Sequence, residues 1–281
     1  MLRYWFKISF FCLLFSIVIG CEGQSTGNIK GHLIIIGGGN PRPDTIMQKF
    51  IDLAGGRDAR IAIIPMASEV YLESGEELEK EFLERGVKKV RVFYILDSLG
   101  ANADSTIDSL NTYTGFYFGG GDQSRLTTIF RRSRSLALFH QKYADGAVVG
   151  GTSAGAAIMS KIMITGEGSW NVLERDSVDA IEGFGFLTTA IIDQHFVERS
   201  RFNRLLALVI QHRQMGIGID EQTAIWVKPN GEAKVMGNRV VLVLNPRQAI
   251  YPDSVQSNLL IARNIQLNVY HAGDIFQINS P

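Results

Sequence analysis

From residue 32 onward the chain alternates short, nearly continuous apolar runs with stretches whose apolar positions recur at helical spacing. The run 32–36 breaks at Gly37-Gly38-Gly39, 59–65 is rich in β-formers, 89–95 follows an acidic helical pattern over 73–85, and 114–118 runs into Gly119-Gly120-Gly121. Runs without polar alternation predict strands covered on both faces, as in a parallel sheet packed between helices. The next run, 146–149, leads through Gly150-Gly151-Thr152-Ser153-Ala154-Gly155 into a small-residue helix. From Ile191 the chain passes Asp193-Gln194-His195 and enters an amphipathic helix around 204–210, whose first turns are expected to hold Arg199, Arg201 and Arg204; the apolar run 215–219 follows. Turns at Pro229-Asn230-Gly231 and Gly237-Asn238 then separate short antiparallel strands over 223–228, 232–236 and 240–244, and a late hairpin is expected over 265–278. The fold class is therefore α/β, a mostly parallel central sheet between helical layers with C-terminal antiparallel strands.

Ahead of this pattern Arg3 and Lys7 precede an apolar run over 8–19 that ends in Val18-Ile19-Gly20-Cys21. The run is shorter than the roughly 20 residues a bilayer-spanning helix needs, which reads as a secretory leader. A small residue directly before a cysteine resembles the lipobox of bacterial lipoproteins. Residues 1–20 would then be a lipoprotein signal peptide, Cys21 the lipidated first residue, 21–31 a polar linker, and 32–281 a single domain. The expected location is the bacterial cell envelope, exported and held at a membrane through the lipid anchor only. Cys12 and Cys21 are the only cysteines, so a chain without its leader has no internal disulfide and relies on its core. The full chain carries 28 basic and 28 acidic side chains; without Arg3 and Lys7 the balance is 26 against 28, or −2. Nothing in that charge asks for nucleic acid, and the basic clusters at 88–91 and 131–134 read as solvated faces.

Gly151-x-Ser153-x-Gly155 fits a nucleophile elbow, in which glycines on either side let the backbone turn sharply and present the serine at a helix N-terminus. Backbone N–H groups there can hold an oxyanion. Of five histidines, His195 ends a buried run, where α/β proteins place their sites, whereas His32, His140 and His212 fall at a strand start and on helical patterns. A carboxylate that fixes the imidazole is best supplied by Glu221, which with Asp220 closes the run 215–219; the alternative is that both acids cap a solvent turn. The order Ser, His, Glu departs from that of the α/β-hydrolases. Gly119-Gly120-Gly121 can turn further N–H groups toward Ser153. No Gly-Lys-Ser/Thr or GxGxxG accompanies it, so a nucleotide is not expected. Arg199, Arg201 and Arg204 point to an anionic partner, or else to pairing with Glu198 and Asp193.

Together, Gly120-Gly121-Asp122-Gln123, Gly151-Thr-Ser153-Ala-Gly155, Asp193-Gln194-His195-Phe with the three arginines, and Gly218-Ile-Asp-Glu221 resemble the cyanophycinase family of serine peptidases over residues 33–244. The resemblance implies a fold similar to the class I glutamine amidotransferases. It implies Ser153 as nucleophile, His195 as base and Glu221 as its orienting acid; the backbone N–H groups of Ala154 and of Gly120 or Gly121 are expected to hold the oxyanion. Gln123, Asp193, Gln194, Arg199, Arg201 and Arg204 would form the substrate pocket. The implied reaction needs no metal or organic cofactor. The implied partner is cyanophycin or another aspartyl or isoaspartyl peptide, with release of β-Asp-Arg; a homodimer is left open. Relatives of the dipeptidase E type cut after an N-terminal aspartate, and a non-catalytic binding lipoprotein on the same fold is the other alternative. Two features depart from the family pattern: Asn40 stands where relatives often have an acid, and 162–179 matches no motif.

Overall fold

The computed structural model describes residues 29–168, 171–252 and 258–278; the leader and Cys21 lie outside these residues. Five parallel strands form the heart of the larger sheet: β1 (His32–Ile36), β2 (Arg60–Ile64), β3 (Lys89–Val92), β4 (Gly115–Phe118) and β5 (Val148–Thr152), in the order β1-β5-β4-β2-β3. The helices between them are α1 (Asp44–Leu53), α2 (Tyr71–Glu84), α3 (Ser98–Asn102), α4 (Asp104–Asn111), α5 (Gln123–Phe130) and α6 (Arg134–Asp145), and α7 (Ala154–Ala157) follows β5. Successive side chains of one strand enter different cores. Ile34, Ile36, Ile61 and Ile63 pack with Ile46, Phe50 and Phe82 of α1 and α2. Leu33, Ile35, Ala62 and Ile64 pack with Leu126, Phe130 and Phe139 of α5 and α6. Both faces are apolar because both are covered, which is why these strands show no alternation.

After α7 come β6 (Ile162–Gly168) and β7 (Val178–Glu182), an antiparallel pair with a bulge between Ile164 and Gly168. The unmatched segment of the sequence thus forms most of a separate ribbon. β8 (Ala190–Gln194), α8 (Phe202–His212), β9 (Met215–Ile219), β10 (Thr223–Val227), β11 (Glu232–Gly237), β12 (Val241–Asn245), β13 (Gln266–Tyr270) and β14 (Ile275–Gln277) complete the described elements. β10, β11 and β14 extend the larger sheet antiparallel from β1, while β8, β9, β12 and β13 form a second sheet. α8 packs Leu205, Leu208 and Val209 with Ile191 of that sheet and Phe196.

Two expectations are corrected. β13 and β14 do not pair as a hairpin; β13 joins β12 and β14 joins β11. The turn 271–274, closed by the Asp274 carboxylate accepting from the His271 N–H at 2.9 Å, is tied by the Gly273 N–H to Val235, so the chain crosses between sheets there. The helix after His195 begins only at Phe202, so Arg199 and Arg201 precede it and only Arg204 lies in its first turn.

Candidate active site

β5 continues past Val149 through Gly150, Gly151 and Thr152, so the chain turns at Ser153 itself. Ser153 has φ 55° and ψ −109°, a conformation that costs an L-residue of order 1–3 kcal/mol and persists only when its surroundings over-determine it. Here its N–H donates to Ile36 at 3.1 Å, and the Gly155 N–H donates to Gly119 at 3.1 Å. A Cβ on Gly151 would stand 2.6 Å from the carbonyl carbon of Gly155, and one on Gly155 would meet Phe118, so the two glycines permit the sharp turn. Gly120 lies beside the serine: a Cβ there would be 3.4 Å from the Ser153 Cβ and 3.9 Å from its Oγ. Ala154 opens α7.

His195 follows the end of β8 with φ 49°, its N–H donating to Gly37 at 2.7 Å. The imidazole Nε2 is 2.8 Å from Ser153 Oγ and Nδ1 is 2.5 Å from Glu221 Oε1. The carboxylate on Nδ1 favours the tautomer with a proton there, which leaves Nε2 free to accept from the serine. Burial lowers the imidazole pKa from its ordinary value; the Glu221 hydrogen bond and charge oppose this, and the charges of Arg199 and Arg201 add to it. The ring is thereby kept neutral and able to act as a base. Glu221 is positioned by the loop after β9: the Gln222 N–H donates to Gly38 at 2.7 Å and Thr223 Oγ1 donates to the Glu221 carbonyl at 3.1 Å. Its neighbour Asp220 points elsewhere, accepting from the Glu198 N–H at 3.1 Å and facing Arg239.

The residues expected to bind substrate divide into frame and surface. Arg204 forms a two-point ion pair with Asp193, Nε to Oδ2 at 2.7 Å with Nη2 on Oδ1; both residues are 1 % exposed. Arg201 donates to the Gln194 carbonyl at 2.7 Å and to the Gln194 side chain, and burial together with Arg204 lowers its pKa to about 10. Gln123 is buried, its amide nitrogen donating to Ile164 at 2.6 Å and Thr165 at 2.7 Å, so it ties α5 to β6. Arg199 is the exposed member of the set, close enough to His195 for its charge to act there.

A cleft of about 320 Å³ opens at Ser153 and His195 and is also lined by Gly38, Asn40, Arg42, Ser74 and Glu77. Of these five the sequence marked only Asn40, as a departure from the family pattern, and Gly38, as part of a strand end. The break at Gly37–Gly39 was visible as a strand end, but its service to the histidine is not: a Cβ on Gly38 would stand 2.6 Å from Nε2 and 2.8 Å from Nδ1 of His195. Glu77 is one of several acids on α2, with nothing local to distinguish it.

Comparison with known proteins places this geometry in a family. Residues 33–235 match the model of peptidase family S51. The cyanophycinase of Synechococcus elongatus is 32% identical over 264 residues, covering 92% of this chain and 82% of the relative. That of Trichormus variabilis is 32% identical over 256 residues, covering 89% and 86%. The crystal structure of a peptidase from an acI-B1 Actinobacterium superposes with a TM-score of 0.69 at 21% identity, over 89% of this chain and 98% of that one, and shows the same fold. With a family match over most of its length and relatives at this identity, the chain belongs to peptidase family S51 and is a serine-type peptidase.

Proposed function

We propose that the protein hydrolyses aspartyl peptide bonds through an acyl-enzyme on Ser153, releasing β-Asp-Arg from cyanophycin or a related isoaspartyl substrate. The observation that carries this reading is the continuous relay Ser153 Oγ, His195 Nε2, His195 Nδ1, Glu221 Oε1, at 2.8 and 2.5 Å, in a chain 32% identical to cyanophycinases. Ser153 Oγ attacks the scissile carbonyl carbon as its proton passes to Nε2. The N–H groups of Ala154 and of Gly120 or Gly121 hold the oxyanion. The bond to nitrogen breaks as Nε2 returns the proton to the leaving amine, and water, activated by the same nitrogen, then cleaves the ester. Throughout, Glu221 stabilises the transient imidazolium.

Arg199 supplies the exposed guanidinium for a substrate carboxylate, while Asp193, Gln194, Arg201, Arg204 and Gln123 hold the loop and ribbon around it. We also propose export with a lipid on Cys21, so that the natural substrate is an external polymer or isoaspartyl peptide. Palmitate labelling that survives Cys21→Ser would sink the anchor.

The test of the reaction is incubation of the purified protein with cyanophycin and with α- and β-linked aspartyl dipeptides, followed by mass spectrometry. Release of β-Asp-Arg that disappears in Ser153→Ala is the expected result. Cleavage of α-linked dipeptides alone would move the protein to the dipeptidase branch, and equal turnover by Ser153→Ala and wild type would overturn the mechanism.

A further inference from the structure

The two loops that carry the base and its orienting acid are bridged from a third place in the fold. His195 opens the turn 195–201, in which the Arg199 N–H donates to the His195 carbonyl at 2.9 Å and the Arg201 N–H to Phe196 at 3.0 Å. Glu221 lies in the loop between β9 and β10. The turn from β11 to β12, at 237–240, packs on that second loop. Its Asn238 N–H donates to Gln222 at 3.0 Å and its Arg239 N–H to Thr223 Oγ1 at 2.9 Å, while Val240 accepts from the Asp220 N–H at 3.2 Å. Thr223 Oγ1 itself donates to the Glu221 carbonyl, so the main chain of Arg239 is one step from the acid. This turn lies beyond residues 33–235, the span that the family model matches.

The side chain of Arg239 reaches the other way, to the turn of the histidine. Its Nη1 donates to Glu198 Oε2 at 2.6 Å and faces Asp220 Oδ2 at 3.4 Å. Asp220 is buried, and its other oxygen accepts from the Glu198 N–H at 3.1 Å. Two carboxylates, one next to Glu221 in sequence and one on the turn that His195 opens, thus contact a single guanidinium nitrogen. Like charges this close repel, and the cation between them converts the repulsion into an attachment. An exposed ion pair contributes little to the stability of a fold, but here what it holds is the turn that bears the base.

We propose that Arg239 is a positioning residue for the relay: by neutralising Glu198 and Asp220 it fastens the turn of His195 and Arg199 to the loop of Glu221. The inference deepens the acyl-enzyme reading and rests on it for Ser153 as the group whose reactivity reports the relay. His195 Nδ1 and Glu221 Oε1 belong to different loops, so their 2.5 Å contact lasts only while the loops keep their spacing. Without the guanidinium, Glu198 and Asp220 push the loops apart, the imidazole draws away from Glu221, and Ser153 loses an aligned base. Lysine at 239 restores the charge without the planar fork and so replaces arginine in part. Neutralising Glu198 as well removes the repulsion, while its N–H still holds Asp220.

The experiment follows two signals in wild type, Arg239→Gln, Arg239→Lys, the double variant Arg239→Gln with Glu198→Gln, and a distant surface control, Arg134→Gln, whose guanidinium meets Asp104. One signal is the rate of fluorophosphonate labelling of Ser153. The other is the low-field proton resonance of His195 Nδ1–H, which moves upfield as its bond to Glu221 weakens. Arg239→Gln should label about tenfold more slowly with the resonance moved upfield, and Arg134→Gln should match wild type. The double variant should return both signals close to wild type, with Arg239→Lys between. A wild-type rate and resonance in Arg239→Gln would overturn the proposal. So would a double variant as impaired as the single one, since Arg239 would then act only by shaping its own turn. Should wild type label yet cleave no aspartyl peptide, the aspartyl reading fails and the labelling rates still decide on Arg239. Should wild type not label, the acyl-enzyme reading fails and the resonance decides alone: no upfield movement in Arg239→Gln overturns the proposal.

Discussion

Gly38 has no side chain to offer, yet the imidazole of His195 lies flat against the space its Cβ would fill. With φ at 110°, the residue also sits where L side chains are strained. Gly38→Ala should therefore push the ring from the 2.8 Å contact with Ser153 and lower kcat by about 10²-fold, the scale expected for a misplacement of about 1 Å. Unchanged kcat in a folded variant would show that the ring adapts. A second expectation concerns pH. The acid limb of kcat/KM should lie below the ordinary imidazole value of about 6.5, because burial disfavours the imidazolium. Arg199 is one of the charges that hold this pKa down, so Arg199→Gln should move the limb to higher pH, separately from any loss of substrate affinity. A limb that stays in place would remove Arg199 from the electrostatics of the base. Ser153, His195 and Glu221 could be picked out in the sequence because each carries chemistry at the end of an apolar run, Ser153 between two glycines. Gly38 was not, because its service to the site comes from the imidazole that the fold sets opposite it.

At the scale of elements, the segment joining β8 to α8 shows how a local conflict is resolved in space. Three arginines in the first turns of a helix would oppose its macrodipole. The structure avoids this by starting α8 at Phe202, leaving Arg199 and Arg201 outside, and by matching Arg204 to Asp193 in the interior. Sequence pattern could not separate these outcomes, since periodicity marks the helix body better than its start. The buried pair makes a firm prediction. Arg204→Met leaves the Asp193 carboxylate buried without its two-point partner and should destabilise the fold by about 3–5 kcal/mol, read as a lower urea midpoint. Adding Asp193→Leu should recover most of that loss while leaving Gln194 and Arg201 less well held, so stability would return before activity does. Failure of the double variant to recover would mean that Arg204 supports the segment mainly through its other contacts.

Across the whole molecule, the parallel sheet was readable because its strands are apolar on both faces, and the two cores they feed explain that pattern. The partition of β13 and β14 between two sheets was hidden, since a turn looks the same locally whether or not its strands pair. The cores also set the pH range of the fold. Burial lowers the pKa of His32, His140, His195 and His212, so below about 6.5 the unfolded chain takes up protons that the folded chain resists, and stability falls as pH falls from there toward the folded values. Tyr117 and Tyr143 behave in the opposite sense: burial raises each to about 12, so stability is full below the ordinary value of about 10 and is lost as pH rises from there toward 12. Thermal midpoints should thus form a plateau between about pH 6.5 and 10 that falls on both sides. Tyr117 tests the alkaline side cleanly, because its ring packs edge-on with Phe50 and Phe82 and its buried hydroxyl has no hydrogen-bond partner among the described residues. Tyr117→Phe keeps the ring, removes an unsatisfied hydroxyl and removes an ionisable group. It should raise stability at pH 7 by about 1 kcal/mol and flatten the fall above pH 10. A loss of stability at pH 7 would show instead that the hydroxyl contributes favourably to its contact with the Arg42 and Glu81 pair, whose charges act on it through the core.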